Sequence, residues 1–138
     1  MSAGARLLLV GVLMGLAALI GAGTSAQGPQ AQSPQYLPFA EFASDESAVQ
    51  RSAKQAYNDA VERYNKALYD YHVTLGQHDQ LVDVYNRAGT PAGREKARAD
   101  AAPLRARLQT LSNDVTALAA AVDQTRRKAS QTGVTLTR

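Results

Sequence analysis

Few residues in this chain could do chemistry. The candidates are two histidines, six tyrosines and the absent cysteine. His72 and His78 are six positions apart, which puts them on different faces of any helix, so they cannot share a metal there. His72 and Asp79 do share an edge, but a heptad of helix separates them by about 10 Å, too far for a catalytic pair. Without Cys there is no thiol nucleophile, no Cys-rich zinc site and no disulfide. No hydroxyl nucleophile stands beside a base, and no Gly-rich loop could cradle a phosphate. The expectation is a protein that is not an enzyme, with no cofactor and no metal.

The tyrosines are spaced rather than clustered. Aligned in sevens from Tyr57, the chain reads YNDAVER, YNKALYD, YHVTLGQ, HDQLVDV, YNRAG. The positions Tyr57, Val61, Tyr64, Leu68, Tyr71, Leu75, His78, Val82 and Tyr85 alternate steps of four and three. That is the period of a seam buried against another helix in a left-handed coiled coil. Asn58, Asn65 and Asn86 each follow a Tyr and could order the phenols by hydrogen bonding. Such a Tyr stripe is a core edge, or else a surface for aromatic or apolar guests. His78 falls within the seam. Its ring is expected to meet Asp100 or water, and a pH-sensitive layer is the functional alternative.

A second run shows the same period: Ala97, Ala101, Leu104, Leu108, Leu111, Val115, Leu118, Val122, Thr125 and Ala129. Between the runs, Gly89 suits a left-handed helix cap, Thr90 a helix N-cap, and Pro91 the first helical position. A link this short joins antiparallel neighbours. The predicted fold is therefore all-α: an antiparallel two-helix coiled-coil hairpin, with helices over 45–88 and 91–130. Centring the turn between Gly89 and Thr90 sets Val61 against Leu118, Tyr64 against Val115, Leu68 against Leu111 and Tyr57 against Val122. Residues 45–88 hold seven acids and five bases, whereas 91–130 hold four and eight, so the arms attract weakly.

Pro103 interrupts the second run, where it removes a helical hydrogen bond at a cost of about 3 kcal/mol. The same register places Gly76 opposite it. The pair predicts a bend or hinge shared by both arms, unless Pro103 opens a separate helix. Small residues gather on the flanks: Ala53, Ala60 and Ala67 on the first arm, and Ala117, Ala119, Ala120 and Ala121 on the second. They would let another helix approach closely, and they form the expected partner interface. A two-helix hairpin buries little surface by itself, which also favours assembly.

Ahead of the hairpin, Arg6 precedes the apolar run Leu7 to Gly23, and small residues follow to Ala26. That order is the pattern of a secretory signal peptide over 1–26. The alternative is a retained membrane anchor facing outside. Residues 27–44 hold three of the five Pro and repeated Gln, and read as a flexible linker. Within them Tyr36, Leu37, Phe39 and Phe42 would fold back on the body, or serve as a docking motif. The tail 131–138 ends in VTLTR, a frayed terminus or a strand added to a partner's sheet.

Removing Arg6 leaves a net charge near +2, too weak for nucleic-acid binding. The expected function is an exported structural or interaction protein of the cell envelope, periplasmic or extracellular. It would be a homo-oligomer, or would dock on an envelope partner. Membrane contact is expected only if the N-terminal segment is retained. The alternative is a holdase-type chaperone or carrier whose arms splay at the Gly76–Pro103 level. Attachment to a membrane or wall through Arg126-Arg127-Lys128 is a third option, although three cations at a helix C-terminus are favoured by the helix dipole in any case.

Overall fold

The computed structural model describes residues 34–136. The expected signal segment 1–26, linker residues 27–33 and the last two residues lie outside them. Two helices account for the described body: α1, Ala48–Arg87, and α2, Pro91–Gln131. At about 1.5 Å per residue each is roughly 60 Å long. They pack against each other, with no strand among the described residues. The Gln50 amide at the start of α1 donates to the Thr132 carbonyl just past the end of α2, at 3.3 Å. The helices therefore run antiparallel, as a hairpin.

Local chemistry sets the ends. Ser47 Oγ accepts from the Gln50 amide N–H while the Gln50 side chain accepts from Ser47 N–H, a complete capping box. This cap starts α1 at Ala48 and leaves Asp45 and Glu46 ahead of the helix, later than the expected start. At the other end the expectation for Gly89 fails. Ala88 leaves the helix in an extended conformation, φ −64° and ψ 119°, and Gly133 is the only described residue with positive φ. An extended exit needs no glycine, so Gly89 is left as a spacer. Thr90 Oγ1 accepts from Gly93 N–H at 3.1 Å and Pro91 follows as the first helical residue.

α2 continues unbroken through Pro103, so Pro103 does not begin a separate helix. Its ring lies on the exposed side. Ala101, buried, and Leu104, half-buried, hold the helix to α1 on either side of it. The left-handed cap expected at Gly89 occurs instead at the end of α2. Gly133 takes φ +79° and its N–H bonds to Ser130 O, while Val134 N–H bonds to Ala129 O. Those two bonds make a Schellman motif, and its usual hydrophobic pair is here Val134 with Ala129, both buried.

The core is concentrated toward the open end of the hairpin. Tyr57, Val61, Tyr64, Leu68, Val115 and Val122 form one buried cluster. Leu37 and Ala40 from before α1 and Leu136 from after α2 pack against it. Up to Leu136 the tail is thus folded in, not frayed, because Val134 and Leu136 have apolar surface to cover. Toward the turn, Ala97 and Ala101 are buried and Leu75, Val82 and Leu104 only half-buried.

Candidate functional site

The seam supplies the frame. Of its predicted members, Tyr57, Val61, Tyr64, Leu68, Leu108, Val115 and Val122 are buried. Tyr71, Leu75, His78, Val82, Leu104, Leu111 and Leu118 are half-buried. The helical period then divides α1 into two flanks beside the seam. Asn58, Asn65 and His72 fall on one, and Ala53, Ala60, Ala67 and Thr74 on the other.

The first flank carries a built polar site. The Asn65 side chain accepts from Leu37 N–H and donates to Leu37 O, both at 2.8 Å. One heptad earlier, the Asn58 side chain accepts from Ala40 N–H at 2.7 Å and donates to Ala40 O at 3.0 Å. The Tyr64 hydroxyl donates to Gln35 O at 3.3 Å. Lys54 Nζ reaches Glu41 O and the Glu46 carboxylate, and an Arg51 guanidinium nitrogen donates to Ser44 O at 3.2 Å. Residues Gln35–Ser44 therefore lie along α1 in the opposite direction, as an extended strap. The flexible linker expected over 27–44 is corrected for this part, because two amides satisfy backbone groups that a free linker would leave to water.

The strap is only lightly anchored by side chains. Leu37 and Ala40 face the core, while Tyr36, Phe39 and Phe42 stay about half exposed, at 53, 56 and 50 %. The Tyr36 ring lies 6.2 Å from that of His72, which in turn meets Tyr71 edge-on at 5.8 Å. Asn58 and Asn65 thus bind backbone and do not order the phenols. Burial pushes the Tyr64 phenol above its ordinary pKa, since its charged form would lose water. Lys54 sits one heptad before Val61, a seam position that the periodic reading stopped short of. Only the continued four-three spacing could have revealed it.

His78 lies 3.5 Å from the Asp79 carboxylate, not beside Asp100, which instead pairs with Lys96 at 2.7 Å. Among the described residues no three His, Asp or Glu gather as a metal site would require.

The alanine set divides. Ala60, Ala67 and Ala119 pack against the core cluster. Ala53 and Ala121 are half-buried, and Ala117 and Ala120 are exposed. Ala53 lines an open, largely apolar groove at the base, together with Ala48, Val49, Ser52 and Ala56 of α1, and Thr125, Lys128 and Thr132. Gly76 is exposed, and a methyl group added there would meet nothing within 4 Å.

No protein-family model, no curated protein and no solved structure matches this chain. No described helix is long and apolar enough to cross a membrane.

Proposed function

We propose that the chain is an exported structural or interaction protein of the cell envelope. It is an antiparallel coiled-coil hairpin that self-associates through its alanine-bearing flank and performs no catalysis. One observation carries this reading. The strap closes one flank of the seam, whereas the base of the other keeps the open apolar groove beside Ala53 and Ala56. Small side chains there let a second helix come close, and burying that surface adds what a lone hairpin lacks.

Light scattering behind a sizing column, on chain recovered from the export compartment of a host, tests it. A discrete oligomer is expected. Ala53→Glu with Ala56→Glu should reduce its mass to one chain without loss of helical signal. Substituting Ala60 or Ala119 would not serve, because both pack on the hairpin's own core. A wild-type mass of one chain at every concentration, or an unchanged mass in the variant, removes the reading.

A holdase remains the second reading. Its support is the half-buried set Tyr71, Leu75 and Leu104, near Gly76 and Pro103, which splaying of the arms would expose.

A further inference from the structure

The strap contacts have a feature that the self-association proposal does not use. All four bonds from Asn58 and Asn65 go to backbone groups, so they read an extended main chain and not its side chains. The spacing is matched on both sides. One heptad of helix rises about 10.5 Å. Three residues of extended chain, from Leu37 to Ala40, advance about 10 Å. The two amides therefore meet every third residue of an extended segment without distortion. The side-chain requirement is slight, an apolar residue at the Leu37 position and a small one at the Ala40 position. Further carbonyls are taken by Tyr64, Lys54 and Arg51.

We propose that this flank is a binding groove for an extended peptide, and that the strap of a second copy enters it in exchange for the chain's own. A second copy presents the same Leu37 and Ala40 backbone and so makes the same bonds. The segment 41–47 joins strap to helix, with a turn at Ser44 and Asp45. Opened out, it spans about 24 Å, so the strap can swing to a neighbour while α1 keeps its cap. Opening it gives up the Arg51 bond to Ser44 O and the Lys54–Glu46 pair. Cis and trans docking therefore differ by those contacts as well as by the entropy of closing the short loop. The exchange rests on the proposed self-association, which supplies the second copy. The groove does not.

Two measurements separate these parts. The first uses a fluorescently labelled peptide of residues 35–44, titrated into full chain and followed by anisotropy. Ala40→Glu weakens the chain's own strap. It should raise the peptide's apparent affinity about tenfold or more, because the groove is no longer occupied in cis. Asn58→Leu with Asn65→Leu, in that background, should abolish binding while the helical signal stays. No binding to folded Ala40→Glu chain at millimolar peptide overturns the groove.

The second exploits the absence of native Cys. Copies carrying only Phe39→Cys are mixed with copies carrying only Glu62→Cys and treated with a short bismaleimide. Glu62 lies between the two asparagines on the helix and is exposed. A cross-link between copies is expected. Cross-linking in a chain bearing both substitutions, with none in the mixture, overturns the exchange. If light scattering still shows an oligomer in that case, the self-association stands without it.

Discussion

Asn58 and Asn65 show how much one side chain can decide when its partner is distant. A carboxamide offers both a donor and an acceptor, so it can replace the pairing an extended backbone would find in a sheet. A carboxylate at either position would accept but not donate. Tyr64 acts at the same place with one hydroxyl, and its burial has a measurable consequence. Its folded pKa is raised, so the folded state holds the phenol proton more tightly than the unfolded chain does. That contribution is complete below the unfolded pKa of about 10 and is lost as pH rises through the folded value. Urea melts from pH 8 to 11 should show stability falling above about pH 10, and Tyr64→Phe should fall less steeply. Equal slopes in the two proteins would refute the assignment.

At the scale of elements, most of the pattern was legible in the sequence. The Thr90-Pro91 start and the four-three seam are local and readable within a turn or two of chain. The equally local Ser47 and Gln50 pair is missed by a reading that starts the helix at 45. The ends read less well. Glycine marks a left-handed cap only where the following residue has a reason to fold back. Val134 supplies that reason after Gly133, and nothing apolar supplies it after Gly89. Gly76 and Pro103 are weak helix residues in exposed positions of helices that stay continuous. Packing along the seam therefore carries their cost. Gly76→Ala should raise stability by about 1 kcal/mol, since its methyl group meets open space. Pro103→Ala should raise it by up to about 3 kcal/mol by restoring a helical hydrogen bond. Guanidinium melts of the two variants check this. A loss of stability in either would mean that the position has a packing role its exposure does not show.

Across the whole molecule, stability is uneven along the hairpin. The base holds Tyr57, Val61, Tyr64, Leu68, Val115 and Val122, with strap and tail residues packed on them. Near the turn the seam has only Ala97 and Ala101 against half-buried partners. Less apolar area leaves water there, so the tip should open more often than the base. Amide hydrogen exchange should be slowest within 57–68 and 108–122 and clearly faster within 81–100. Uniform protection along both helices would contradict this division. The proposed assembly fits the same gradient, because its groove lies at the well-packed end.

The helices, their antiparallel order and the residues of the seam follow from periodicity and caps, because an α-helix repeats its contacts over a few residues. The strap and the tail do not. The amide pairs join residues 28 and 18 positions apart, and no local period encodes such a meeting. Proline and glutamine make residues 27–44 read as a free linker, while the asparagines that hold its described part at Leu37 and Ala40 sit in another element. Which alanines face outward was likewise settled by tertiary packing. Ala60 and Ala53 lie on one edge of one helix, but only Ala60 has the core cluster against it.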